Sequence, residues 1–199
     1  MPPLNNWVLA VFGFFKAQGP VLFGKQIELR LPASRDFSAW QALRQESRGE
    51  LAPYEPRWAS HELTRAAFVS RVRQARSLAG GQEAFQFLIF QQSRETLLGG
   101  ITLGNIRRGA AQTGEIGYWL GTKFYRLGYM RDAVSTVLNF AFSNLRLHRV
   151  EAACIQDNLR SVALLKHCGF HYEGSARAYL EIDGRRQDHH LYACLPSDI

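Results

Sequence analysis

Between Glu115 and Ala133 the chain reads EIGYWLGTKFYRLGYMRDA, an apolar run that turns at Gly128 into a pattern with helical spacing. Residues of these types in this order can bind an anion. Glycine lets the backbone approach a ligand closely, the first helical amides from Tyr129 to Asp132 lack partners within the helix, and the helix dipole favours negative charge. A pyrophosphate fits such a turn, although an ordinary strand-to-helix joint uses the same residues. The other reactive side chains point to less. Cys154, Cys168 and Cys194 are odd in number and form no C-x-x-C pair, which argues against a disulfide framework or a zinc site and suits a reducing cytoplasm. His167 and His171 flank Gly169 and Phe170, which read as a helix terminator followed by a strand, so no metal is expected there.

The elements around the turn follow from periodicity. Gly24 to Leu31 alternates as a strand up to Pro32, and Ser34 caps a helix whose apolar positions Phe37, Trp40 and Leu43 run on until Gly49. Leu51 to Trp58 (LAPYEPRW) is an ordered loop, and Ser60 opens a second helix that stops at Gly80 and Gly81. Strands over Ala84–Gln91, Thr96–Asn105 and Thr113–Leu120 form an antiparallel meander. The helix after Gly128 crosses over to Arg149–Ile155, which must then be parallel to the strand before it. A short helix over Asn158–Cys168 and a hairpin about Asp183 and Gly184 complete a mixed α/β chain.

With 199 residues, 46% of them hydrophobic, the chain suits one domain over 25–196 after an apolar segment, 1–24. Trp7 to Phe15 (WVLAVFGFF) lacks a basic leader and is too short to span a membrane. The net charge of +7 suits a polyanionic ligand, but no RNA-binding or helix-turn-helix signature accompanies it, so no specific nucleic acid is expected.

The segments GYWLGTKFYRLGYMRDA, HRVEAACIQDNLRSVALLKHCGF and YLEIDGRRQDHHLYACL, with LRLPASRDFSAWQALR and LAPYEPRW before them, resemble the Gcn5-related N-acetyltransferases (GNAT). Within these they look like the RimJ/RimL branch of ribosomal-protein N-terminal acetyltransferases, over roughly Lys25 to Leu195. The resemblance implies a GNAT fold: a mixed, mostly antiparallel sheet with a splayed parallel strand pair and flanking helices. It also implies acetyl-CoA as cosubstrate and no metal. The acceptor would be an α-amine, most simply a protein or peptide N-terminus such as that of a ribosomal protein, with small amines or a weakly catalytic acyl-CoA-binding module as alternatives. The protein would act in the cytoplasm as a monomer or homodimer.

The resemblance also assigns residues. The pantetheine arm would lie along Tyr118, Trp119 and Leu120, and the pyrophosphate on Tyr125, Arg126, Leu127, Gly128, Tyr129, Met130 and Arg131. Arg126 and Leu127 stand where the family commonly has glycine and glutamine, so a positive φ at Arg126 would carry strain while its charge helps the ligand. Asn158 and Ser161 match an Asn-x-x-Ser joint beside the thiol, where Ser161 is the proton donor and Asn158 contacts pantetheine or caps the helix. Glu115 is the leading base, acting through a water, or else a surface carboxylate. Trp40, Tyr54 and Trp58 would either line the acceptor cleft or belong to the core, and Tyr179, Asp188 and His189 belong to the hairpin that resembles the acceptor-side wall. No cysteine is needed as a nucleophile, because direct attack requires mainly positioning.

Overall fold

The computed structural model describes residues 19–199, so the apolar run Trp7–Phe15 lies outside the described residues. Eight strands are made: β1 (Val21–Phe23), β2 (Ile27–Arg30), β3 (Phe85–Gln91), β4 (Thr96–Arg107), β5 (Thr113–Leu120), β6 (Arg149–Ile155), β7 (His171–Ile182) and β8 (Arg185–Cys194). They form one sheet in the order β1-β2-β3-β4-β5-β6-β8-β7. Every neighbouring pair is antiparallel except β5 and β6, which are joined by the crossover helix α4 (Tyr129–Asn139).

The near-continuous apolar sequence of β3 reflects burial on both faces. Phe87 and Ile89 enter a large cluster with Val134, Val137 and Leu138 of α4, joined by Leu165 of α5 (Leu159–His167). Leu88 and Phe90 meet a second cluster with Trp40 and Leu43 of α1 (Phe37–Glu46) and Phe68 and Val72 of α3 (Arg65–Gly80). The sheet is thus the middle of three layers, and its two faces are served by different parts of the chain.

Several local details differ from the sequence-based expectations. Val21–Phe23 forms an edge strand before a tight turn, because Asp132 in the first turn of α4 accepts from the amides of Lys25 (3.0 Å) and Gln26 (2.7 Å). Gly49 does not end the helical region: a short helix, α2 (Arg48–Leu51), passes through it. Ser34 begins a single 3-10 turn instead of capping α1, and Asp36 holds that turn by accepting from Ala33 N at 2.8 Å. α3 starts at Arg65, where the Thr64 hydroxyl accepts from Ala67 N at 3.3 Å, so the cap is four residues later than Ser60. The Asp183-Gly184 turn is as expected, with φ of 47° and 77° in a two-residue hairpin loop.

Candidate active site

The parallel pairing of β5 with β6 is three residues long: Thr113, Gly114 and Glu115 oppose Arg149, Val150 and Glu151. Beyond it, β5 continues to pair with β4 as far as Leu120, and β6 continues to pair with β8 as far as Ile155. The two strands therefore separate, leaving the facing edges of Ile116–Leu120 and Ala152–Ile155 without a strand partner. Backbone groups at such an edge need a partner. A cleft of about 1090 Å³ opens there, lined by both strand ends, Arg126, Gly128, Tyr129, Met130 and Arg131 of the turn into α4, and Asn158 and Ser161 of α5.

The turn has the geometry of an anion cradle. Gly128 is the N-cap of α4 with φ of 84°, and Arg126 is also left-handed at 61°. Asp132 N closes the first helical bond to Gly128 O at 3.1 Å, leaving the amides of Tyr129, Met130 and Arg131 ahead of it without helix partners. The Asp132 carboxylate is turned onto the β1–β2 turn, so the one acid in this first turn is committed elsewhere. Leu127 is 55% exposed and does not line the cleft. Tyr125 does line it, beneath the Arg160 guanidinium at 4.7 Å, and burial raises its phenol above the usual range.

Alternation along β5 sends Tyr118 towards α5 and Trp119 towards α1. Tyr118 Oη lies 2.8 Å from Ser161 Oγ, while Asn158 Oδ1 caps α5 by accepting from Ser161 N at 3.1 Å. Burial pushes the Tyr118 phenol well above its usual value, the bond to Ser161 offsetting part of this. Either hydroxyl can donate in this pair; with Tyr118 donating to Ser161 Oγ, the serine proton is free to turn into the cleft. Cys154 borders the same place, its thiol raised by burial with Ser161 partly offsetting it. Burial also raises the Cys168 thiol and pushes the Cys194 thiol up to about 12, so none of the three is a ready thiolate.

On the opposite sheet face, Trp119 is overlaid by Arg44 at 4.8 Å, and Arg44 also stacks on Trp58 at 4.2 Å. Arg44 is 6% exposed and donates to both Glu55 oxygens at 2.7 and 2.6 Å, while Trp58 Nε1 donates to Glu55 at 2.8 Å. This ties the LAPYEPRW loop to α1 and to the β5 edge. The same loop holds the β7–β8 hairpin, since Asp183 N donates to Glu55 O at 2.9 Å and Arg57 Nη2 donates to Asp183 O at 3.3 Å. Neither Arg44 nor Glu55 was singled out in the sequence. The available signal was an arginine on the apolar face of α1 beside an aromatic-rich loop.

The sequence-derived acceptor residues divide. Tyr54, Trp58 and His189 line the cleft; Trp40 also reaches it but is 5% exposed and packs on Phe68 at 4.9 Å, as a core residue does. Tyr179 and Asp188 do not line it and act on His189 indirectly. Asp188 accepts from Ala178 N at 2.7 Å, where Ala178 has φ of 47° in a β7 bulge, and the next residue, Tyr179, places its ring 5.7 Å from that of His189. Glu115 lies where the parallel pairing ends, accepts from Asn105 Nδ2 at 2.8 Å and does not line the cleft. His167 Nδ1 lies 2.7 Å from Ala163 O, and His171 Nε2 lies 3.8 Å from Asp198, so the two imidazoles have separate partners. Among the described residues no cluster of three or more His, Cys, Asp or Glu could hold a metal ion.

The chain is similar to known proteins. The family model described as an acetyltransferase (GNAT) domain matches residues 26–171. A probable N-acetyltransferase of Bacillus subtilis, YjcK, is 34% identical over 89% of this chain and 98% of its own. Ribosomal-protein-S5-alanine acetyltransferase from Vibrio fischeri superposes with a TM-score of 0.83 at 30% identity, covering 90% of this chain and 98% of that one. Mycobacterium smegmatis RimJ, solved in complex with CoA-disulfide, superposes with a TM-score of 0.82 at 29% identity over 92% of this chain and 88% of its own.

Proposed function

The chain belongs to the GNAT acetyltransferase family and is an acetyl-CoA-dependent N-acetyltransferase of the RimJ type, and we propose that its acceptor is the α-amine of a protein N-terminus, most simply that of a ribosomal protein. The observation that carries the cofactor placement is the three-residue β5–β6 ladder, which leaves two strand edges facing an open cleft. An amide-bearing pantetheine arm can bond to the edge at Tyr118, Trp119 and Leu120 as an added strand would. The pyrophosphate would then rest on the amides of Tyr129, Met130 and Arg131, with Arg126 and Arg131 supplying charge. The V. fischeri relative is described as acting on a ribosomal-protein alanine, and this supports the α-amine. Among the described residues no helix is long and apolar enough to cross a membrane.

Bound acetyl-CoA supplies an activated acyl carbon, so the chain's own task is to orient, exclude water and move two protons. Asn158 fixes the start of α5, and with it the position of Ser161. Ser161, polarised by Tyr118, is the donor for the leaving sulfur. Glu115 can reach the amine only through intervening water. Opposite them, the acceptor is bounded by Tyr54, Trp58 and His189, held against the sheet by the Arg44–Glu55 pair.

Acetyl-CoA titration, with turnover measured on a panel of N-terminal peptides and small amines, tests the reading. Peptide acetylation with α-amine selectivity is expected, and it is lost together with CoA binding in Gly128→Pro, because proline cannot adopt φ of 84°. Acetylation of small amines alone would overturn the acceptor class. Undiminished CoA binding by Gly128→Pro would overturn the placement of the pyrophosphate.

A further inference from the structure

His189 is 2% exposed, yet it lines the cleft. It sits on β8 opposite Ile155, the last residue of β6, on the sheet edge where β5 has already moved away. Its Nδ1 lies 2.9 Å from Gln187 O, a carbonyl that can only accept, so Nδ1 carries a proton and the neutral ring has its lone pair on Nε2. Nε2 has no hydrogen-bond partner among the described residues. Arg44 Nε is the single side-chain nitrogen or oxygen among them that is sealed from solvent without a partner. Nε2 is therefore not sealed, and for a side chain this buried the opening is the cleft.

The surroundings hold the ring in that pose. Tyr179 meets it at 61° between ring planes, and Tyr179 is delivered there by the bulge that Asp188 secures at Ala178. Both strands of the hairpin thus serve one imidazole. Of the other cleft-lining carboxylates, Glu55 is paired with Arg44, Glu62 with Arg71 and Glu50 with Arg160, and the fourth, Glu181, is an exposed residue of β7 that lacks the enclosure His189 has. Glu115 lies outside the cleft and is bonded to Asn105.

We propose that His189 is the catalytic base, with Nε2 touching the acceptor amine and receiving its proton. This rests on the acetyltransferase reading above. The amine nitrogen forms a bond to the thioester carbonyl carbon while the carbon–sulfur bond breaks. One proton passes from that nitrogen to His189 Nε2, and one from the Ser161 hydroxyl to the departing sulfur. After products leave, His189 returns its proton to water and Ser161 regains one, so the net change is amine plus acetyl-CoA to amide plus CoA.

His189→Asn retains a side-chain amide able to donate to Gln187 O but removes the second ring nitrogen. With an acceptor peptide that the wild type acetylates, this variant is expected to keep its melting temperature and CoA affinity while kcat falls about 100-fold or more, as for a lost general base. The more open His189→Gly should regain turnover with added imidazole, and rescue should follow the basicity of substituted imidazoles. A purely structural role predicts no such dependence. Near wild-type kcat in His189→Asn, or a folded His189→Gly that imidazole does not rescue, overturns the proposal. Absence of acetylation by the wild type itself overturns the acetyltransferase reading instead.

Discussion

Replacing Arg126 by glycine separates two contributions that the phosphate turn combines. At φ of 61°, Arg126 adopts a left-handed conformation that costs a residue bearing a β-carbon roughly 1–2 kcal/mol. Glycine removes this strain, but its freer unfolded chain returns about 0.4–1 kcal/mol. The net gain is about 0.5 kcal/mol, and for a chain of this size roughly 2–4 °C accompany each kcal/mol, so the ligand-free Tm rises by about 1–2 °C. CoA binding moves the other way. An exposed guanidinium beside a phosphate contributes at the lower end of charged contacts, about 1 kcal/mol, so its loss raises Kd roughly fivefold. Arg126→Lys keeps the charge and the strain and should change neither quantity appreciably. Differential scanning fluorimetry without ligand and calorimetric titration with CoA measure the two effects separately. A glycine variant that melts below wild type would contradict the strain argument, and one that binds CoA as tightly as wild type would show that Arg126 gives the phosphates nothing.

Tyr118→Phe deletes the hydroxyl 2.8 Å from Ser161. It should lower kcat several-fold while leaving the KM for acetyl-CoA nearly unchanged, and a selective rise in KM would instead assign the phenol to cofactor binding. A β-carbon at Gly99 would lie 2.3 Å from the Trp119 carbonyl oxygen, so Gly99→Ala must push β4 away from the cofactor edge. A loss of about 2 kcal/mol or more in denaturant unfolding is expected. The Arg149 guanidinium holds the Glu173 carboxyl below its ordinary value of 4.5. The pair thus adds stability above about pH 4.5, and this is lost as pH falls through the lower folded-state value. Tm measured down the acid limb should fall less steeply in Glu173→Gln, and an unchanged limb would mean that the exposed pair contributes nothing.

Much of the cofactor half was legible because its signals are local. Gly128 marks the turn, helical spacing marks α4, and the helical crossover makes β6 parallel to β5. The family resemblance supplied a splayed pair with Tyr118–Leu120 exposed, but the register at which β5 and β6 part, after Glu115 and Glu151, is given neither by it nor by periodicity. Ser161 was legible as a candidate, but the phenol behind it was not, since Tyr118 is 43 residues away and meets it only through the fold. The acceptor half was legible mainly in composition. Trp40 and Trp58 look alike in sequence, yet one packs in the core and the other stacks on Arg44, a difference set by which helix face the sheet covers. Ser60 looked like a cap because serine commonly is one, while the turn over Ala59–Thr64 delays the helix.

The LAPYEPRW loop and the hairpin tip hold each other, Arg57 bonding to a residue 126 positions later. During synthesis from the N-terminus these partners emerge far apart in time. Until Asp183 has left the ribosome, the aromatic loop has its tie to α1 and β5 through Arg44 but not its contact with the hairpin. The wall facing the acceptor is therefore among the last parts of the molecule to exist, after Gly128, Tyr118 and Ser161 have all emerged. A chain truncated before the hairpin would keep the phosphate-binding residues together with Tyr54 and Trp58, and would lose His189 and the side of the acceptor wall that the hairpin forms.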